Sequence, residues 1–292
     1  MKGIILAGGT GSRLWPLTKT VSKQLLPIYD KPLIYYPLST LMLASIQEIL
    51  IVTTPQDSED FKKLLGDGKS LGISISYATQ PKPEGIAQAL LIASNFIGGD
   101  EVALILGDNI FYGPGLGRSL MEISVTKGAT IFGIEVLDPE RYGVIEISDT
   151  GNPISLEEKP LYPKSNVAVP GLYFFDSSVL ERTRTVTRSA RGEYEITSVI
   201  STYLLDGLLS VRKMNEGTTW MDCGTVRTMN EAINFVMNIE ELYDSKIGCI
   251  EEVAWRKGWI STEELIAQGN LYGGNEYGQY LLKLAASQVD NK

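Results

Sequence analysis

The sequence predicts an α/β protein with a mostly parallel mixed sheet, helices on its faces and a small helical part at the C-terminal end. Three observations carry this. Short apolar runs alternate with helix-patterned segments through the first half, the rhythm of parallel strands joined by crossover helices. The middle of the chain is richer in strand patterns. Beyond about residue 250 helix-start signals replace them.

Residues 2–7 (KGIILA) read as the first strand. Residues 38–46 read as a helix, with Leu38, Leu41, Met42 and Ile46 toward one side. ILIVTT (49–54) is a β-branched strand. Asp57 or Ser58 can cap a helix that ends on Gly66 and Gly68. Residues 73–79 alternate as a strand, 86–97 form a helix, and VALILGD (102–108) is a continuous apolar strand ending on an acid. Strands follow at 129–136, 143–148, 154–160 and 167–176, some of them antiparallel additions, then at 210–214 and 219–223. A helix over 225–242 has Thr225 as cap and Met229, Ala232, Ile233, Val236 and Met237 as its apolar stripe. Ser261 and Glu264 form a capping box before the next helix, and 275–287 form the last.

Composition narrows the chemistry. With 43% hydrophobic and 21% charged residues the chain is globular. Its net charge of −9 argues against a broad nucleic-acid surface. No apolar run reaches the roughly 18 residues of a membrane span, and the start lacks a signal-peptide pattern, so a cytoplasmic protein is expected. The two cysteines, Cys223 and Cys249, make no disulfide framework or metal spacing. There is no histidine. That excludes Ser-His-Asp and Cys-His catalysis and a histidine base, leaving carboxylates, Lys, Arg, backbone donors and a metal.

Several motifs suit an anionic substrate, and each has a plainer reading. Gly8, Gly9, Gly11 and Ser12 follow the first strand, where backbone N–H groups can approach phosphate. The dinucleotide pattern fails because position 14 is Leu, and the Walker ending is absent. Arg13 and Lys23 supply cationic charge; alone they also suit a solvated face. Asp108 and Asp222 end strands, where ligands of open α/β sheets gather, and two carboxylates suit Mg²⁺; Asp is equally an ordinary turn residue there. Glu158 and Lys159 can meet sugar hydroxyls and a phosphate, or simply finish a polar strand. Tyr142-Gly143 and the loop from Gln80 to Gly85 are turns by default, although Gln80 can pair with an amide-bearing base edge.

Taken in order, LAGGTGSRL, SKQLLPIYDKPLIYYPLSTLMLA, LGDNIFYG, DPERYGVIE, SLEEKPLYPKSN, ARGEYEIT and TWMDCGT resemble the glucose-1-phosphate thymidylyltransferases, a branch of the sugar nucleotidyltransferases. The resemblance runs from residue 1 to roughly 285, and the stretch from Ser22 to Asp57 is specific to the thymidylyl branch. It implies a Rossmann-like nucleotidyltransferase core over residues 1–242, with a nucleotide-binding first half and a sugar-phosphate-binding second half. Residues 243–292 would be a helical appendage packed on the core, regulatory or used in oligomerisation. It implies Mg²⁺-dependent joining of dTTP and α-D-glucose 1-phosphate into dTDP-glucose and pyrophosphate, toward dTDP-rhamnose or another deoxysugar. A homotetramer inhibited by a dTDP-sugar end product is the usual form.

Residue by residue, the resemblance puts Gly8, Gly9, Gly11 and Ser12 around the nucleotide phosphates and Leu6 and Ala7 beside the base. Arg13 and Lys23 would hold the triphosphate and the departing pyrophosphate, and with Lys159 form the catalytic set. Gln24, Gln80 and Gly85 would line the thymine and deoxyribose pocket. Asp108, also a nucleotide contact, and Asp222 would bind Mg²⁺. Asn109, Tyr142, Gly143, Glu158 and Val169 would bound the sugar, Lys159 and Arg191 would meet its phosphate, and Trp220 would pack nearby.

Four departures stand out. The usual GGSGTR reads GGTGSR here, which keeps both hydroxyls. Pro114 and Val226 stand where histidine is frequent. Cys223 replaces a usual threonine beside Asp222, and a thiolate there would make activity sensitive to oxidation. Ser198 replaces a common aspartate. LWPLT also resembles mannose-1-phosphate guanylyltransferases, so a UTP or GTP/mannose-type pyrophosphorylase is the runner-up. A non-catalytic nucleotide-sensing subunit would have lost Arg13, Lys23, Asp108 or Asp222, and all four are present.

Overall fold

The computed structural model describes residues 1–287. The first half runs β1 (Lys2–Ala7), a hairpin of β2 (Pro27–Ile28) and β3 (Lys31–Pro32), α1 (Tyr35–Leu43), β4 (Glu48–Thr53), α2 (Ser58–Leu65), β5 (Ser74–Thr79), α3 (Ala87–Ile92), α4 (Ser94–Ile97), β6 (Val102–Leu106) and β7 (Asn109–Tyr112). The second half runs α5 (Leu116–Met121), β8 (Ala129–Glu135), β9 (Gly143–Ile147), β10 (Pro153–Glu158), β11 (Val167–Val169), β12 (Leu172–Phe175), α6 (Val179–Thr185), α7 (Ile196–Leu205), β13 (Leu209–Lys213) and β14 (Thr219–Asp222). Four helices close the chain: α8 (Val226–Tyr243), α9 (Ile250–Arg256), α10 (Thr262–Leu271) and α11 (Glu276–Ser287).

Ten strands form one mixed sheet in the order β10-β9-β11-β8-β12-β6-β1-β4-β5, with β13 alongside β8. The first-half strands β6, β1, β4 and β5 are parallel to one another. The antiparallel additions are β12 against both β6 and β8, and β9, β10 and β11 beyond them. Adjacent residues of β1 face opposite cores: Ile5 joins the cluster with Leu41 and Phe61, and Ile4 the one with Leu90 and Tyr203. A strand buried on both faces must read as an unbroken apolar run, as KGIILA nearly does.

Strand order sets where a ligand can sit. From β1 the chain crosses to β4 and β5 on one side, then returns to β6 on the other. The reversal opens a crevice beyond the carboxyl ends of β1 and β6, where open α/β sheets bind ligands. The glycine loop leaves β1 there and Asp108 follows β6.

Ser261 makes the expected capping box with Glu264, and Thr225 caps its helix as expected, in a box completed by Thr228. Other expectations shift. VALILGD stops pairing at Leu106, and the chain turns through Gly107-Asp108 into β7, which pairs with β14 outside the main sheet. The stretch 167–176 is interrupted at Pro170, which has no N–H for the ladder. Helix 86–97 is broken at Ala93. Asp57 does not cap α2 with its side chain, which accepts the Thr54 hydroxyl at 2.6 Å. Helices α5, α6, α7 and α9 were not legible in the apolar spacing.

The helices after residue 243 pack onto the first half. Ile250, Ala254, Leu265 and Leu281 share one buried cluster with Leu41, Phe61 and Ile5. Beside it lies a charge cluster that runs from buried to exposed. The Lys31 ammonium contacts Asp30 at 2.5 Å and Glu240 at 2.8 Å, and Lys246 joins the same two carboxylates. No helix among the described residues is long and apolar enough to cross a membrane.

Candidate active site

Two cavities open at the crevice. The first, of about 400 Å³, is lined by Leu6, the loop from Gly8 to Leu14, Lys23, Gln24, Gln80 and Gly85, with Arg191 at one side. The second, of about 420 Å³, is lined by Asn109, Tyr142, Gly143, Glu158, Val169, Trp220 and Asp222. Arg13, Ile86, Leu106, Asp108 and Lys159 line both. Almost every residue singled out in the sequence therefore meets in one place. Ala7 does not: it is fully buried in the cluster behind the sheet, because successive strand residues point to opposite faces. Arg191 lines the first cavity and not the second, reaching Glu158 from the rim at 3.4 Å.

The two aspartates are joined by the β7–β14 ribbon. Asp222 pairs in register with Asn109, and the Cys223 N–H donates to the Asp108 carbonyl at 3.0 Å. Asn109 then ties the site together. Its Nδ2 donates to Asp108 Oδ1 at 2.9 Å, while its Oδ1 accepts the Trp220 Nε1–H at 2.6 Å and the Gly171 N–H at 3.0 Å. Trp220 meets Tyr142 edge-on, ring centroids 5.0 Å apart.

Charge divides the two carboxyls. Burial alone would raise Asp108, but the Lys23 ammonium salt-bridged to Oδ2 and the Asn109 amide hold it below its ordinary range. Asp222 is pushed upward, first by burial and then by the charge of Asp108. Lys23, Arg13 and Arg141 oppose that push only in part. Glu158 is also raised, by burial above all, with Glu195 adding to it and Lys159 working against it.

Mg²⁺ fits this donor set. Two facing carboxylates are hard oxygen ligands, and among the described residues no larger cluster of His, Cys, Asp or Glu competes for a metal. Mg²⁺ characteristically takes one or two carboxylates and completes its shell with phosphate oxygens and water. Space is kept for it: a Cβ on Gly224 would stand 3.0 Å from Asp222 Oδ2 and 3.2 Å from Arg13 Nη2.

The expectation of a reactive Cys223 is corrected here. Cys223 is fully buried, and burial together with the two aspartates pushes its thiol up, which disfavours a thiolate. Lys159 carries a backbone surprise. Its φ of 46° is left-handed although it precedes Pro160, and its N–H donates to the Tyr142 carbonyl at 2.9 Å. That twist turns its side chain onto the wall shared by both cavities. Sequence reading missed Ile86, Arg141, Thr197 and Gly224 as site residues. Each adjoins one it named or lies in a quoted motif; Arg141 alone has a charged side chain, and in the sequence it reads as part of a polar turn.

A family model described as nucleotidyl transferase matches residues 2–239. A glucose-1-phosphate thymidylyltransferase of Mycobacterium tuberculosis H37Rv is 54% identical over 284 residues, covering 97% of this chain and 99% of that protein. One from Neisseria meningitidis serogroup A is 52% identical over 285 residues, covering 97% and 99%. A solved Bacillus anthracis structure, assigned to the same activity and holding sucrose, aligns with a TM-score of 0.75 at 42% identity, covering 80% of this chain and 94% of that one. A UDP-glucose pyrophosphorylase holding UDP-glucose aligns at 0.72 and 26% identity, covering 82% and 98%. With the crevice, the paired aspartates and these likenesses in hand, the chain belongs to the glucose-1-phosphate thymidylyltransferases of the nucleotidyl transferase family.

Proposed function

We propose that the chain transfers a deoxythymidylyl group from dTTP to α-D-glucose 1-phosphate, giving dTDP-glucose and pyrophosphate. The observation that carries this reading is the meeting of two cavities at Arg13, Asp108 and Lys159. One cavity suits a nucleotide and the other a sugar, and the shared wall is where phosphates would meet.

In this reading an ionised phosphate oxygen of the sugar phosphate attacks the α-phosphorus of dTTP. A new P–O bond forms as the bond to the β-phosphate breaks, and pyrophosphate leaves in line. The nucleophile is already an anion, so no base is required and the lack of histidine costs nothing. The barrier is repulsion between anions, and positioned cations lower it. Arg13 and Lys23 hold the triphosphate, with Gly8, Gly9, Gly11 and Ser12 around it. Lys159 and Arg191 hold the sugar phosphate. Glu158, Asn109, Tyr142, Gly143 and Val169 bound the sugar, and Gln24, Gln80 and Gly85 the base and deoxyribose. Asp108 and Asp222 would hold Mg²⁺, which when bound neutralises phosphate charge as it develops. A homotetramer, inhibition by a dTDP-sugar and a cytoplasmic location belong to this reading through the resemblance, as does a regulatory or assembly role for residues 243–292.

The test is pyrophosphate release over a grid of nucleotides and sugar 1-phosphates, with and without Mg²⁺. Turnover should be fastest with dTTP and glucose 1-phosphate, and should need the metal. No turnover with that pair would overturn the reading. A trapped nucleotidyl-enzyme would overturn the direct displacement.

A further inference from the structure

We propose that Glu84 and Gln88 set the nucleobase preference of the site by locking the amide of Gln80 with its carbonyl oxygen toward the base. The proposal rests on the nucleotide reading of the first cavity and goes beyond it to residues that touch no substrate.

Gln80 is buried and lines that cavity. Its Nε2 donates to Gln88 Oε1 at 2.6 Å and to the Gly85 carbonyl at 3.3 Å, which uses both amide hydrogens on the protein. Its Oε1 lies over the glycine loop, 2.7 Å from where a Cβ on Gly8 would stand. A primary amide fits either way round at a site like this unless its partners forbid one orientation. Here they do. Gln88 Nε2 donates to Glu84 Oε2 at 2.8 Å. A carboxylate only accepts, so the Gln88 nitrogen must face Glu84 and its oxygen must face Gln80. The Glu84 backbone N–H, 3.3 Å from the same Gln88 oxygen, enforces that direction from a second side. Gln80 can then only donate to Gln88, which leaves its oxygen for the cavity.

The outer end of the relay is also fixed. Arg188 Nη2 pairs with Glu84 Oε1 at 2.7 Å and holds that end of the side chain in place. The Tyr194 N–H donates to the Glu84 carbonyl at 2.7 Å and holds its backbone. Direction therefore passes from a guanidinium through a carboxylate and two amides to one oxygen in the base pocket.

That oxygen is an acceptor with no hydrogen to give. It matches the N3–H of thymine or uracil and opposes cytosine, whose N3 is itself an acceptor. The relay cannot tell thymine from uracil, and it does not govern purines, which differ in size. Gln88 and Glu84 are positioning residues in this scheme.

The test uses the full-length enzyme with glucose 1-phosphate and Mg²⁺, comparing dTTP, dUTP and dCTP. Wild type should use dTTP and dUTP and reject dCTP. In Gln88→Leu only the longer bond to the Gly85 carbonyl, at 3.3 Å, still orients the Gln80 amide, and the dTTP-to-dCTP ratio of kcat/KM should fall by about tenfold. The loss should appear in the nucleotide KM, with the KM for glucose 1-phosphate unchanged. Glu84→Gln, which can donate or accept, should move the ratio the same way by less. A folded Gln88→Leu that keeps the wild-type ratio overturns the relay. If that variant does not fold, an unchanged ratio in Glu84→Gln overturns it instead. If wild type shows no turnover, the reaction assignment has failed, and calorimetric binding of dTMP against dCMP decides the relay on its own. Equal binding of the two by wild type overturns it.

Discussion

The Lys23 ammonium is salt-bridged to Oδ2 of Asp108, and both side chains are almost wholly enclosed. A cation of the protein thus already rests on a carboxylate assigned to Mg²⁺. Lys23→Ala would leave that carboxylate buried without its partner, a loss of about 3 kcal/mol in folding stability. Chemical denaturation should show it. Added Mg²⁺ should raise the melting temperature of this variant more than that of wild type, because the vacated carboxylate gains a counter-ion. Equal shifts would remove Asp108 from the metal assignment.

Glu158 gives the pH dependence. Its carboxyl sits above its ordinary value of 4.5, so the folded chain holds this proton more tightly than the unfolded one. Its contribution to stability is therefore complete below the ordinary value and is lost as pH rises through the raised one. Glu158→Gln should make the ligand-free protein more stable at neutral pH. In catalysis the sign reverses, since the ionised form accepts from sugar hydroxyls through both oxygens and more strongly than the protonated one. The KM for glucose 1-phosphate should rise on acidification from a higher pH than an ordinary carboxylate would give. The same substitution should flatten that limb.

Glu240 tests the link between the substrate half and the last helices. Its side chain is 5% exposed and the Lys31 chain 2%, and Glu240 Oε1 also accepts the Ile247 N–H at 2.8 Å. Glu240→Ala strands the Ile247 N–H and leaves Lys31 with Asp30 alone, and should cost about 3 kcal/mol. Urea unfolding monitored by tryptophan fluorescence would measure it.

Both cysteines should be silent in the native protein. Cys223 is fully enclosed and Cys249 is 1% exposed. A colorimetric thiol reagent should titrate neither before unfolding and both in denaturant. Fast loss of activity with the reagent would contradict the burial of Cys223.

The parallel half of the fold was legible because β1, β4 and β6 are buried on both faces and announce themselves as apolar runs, while β5 shows itself by alternation. The second half was less so. Helix α7 (ITSVISTYLL) is rich in β-branched residues and reads as strand-like, yet packing Val199, Ile200 and Tyr203 into the core makes it helical. The charged and glycine positions of the site were legible through chemistry. Ala7 turns its side chain away from the cavity because a motif names neighbours while a strand separates them. The Glu84–Gln88–Gln80 relay had no signature, since glutamines carry direction only once their partners are known.

The merging of helices α9, α10 and α11 with the cluster around Ile5 and Phe61 has a consequence for synthesis. Leu281 and Ala285 occupy the same core as a strand that begins at Lys2. A nascent chain exposing only its nucleotide half would leave a broad oily flank facing the ribosome's surroundings. Contacts spanning nearly the whole sequence also form slowly. The half made first is thus the half finished last, and chaperones have their longest opportunity to bind it.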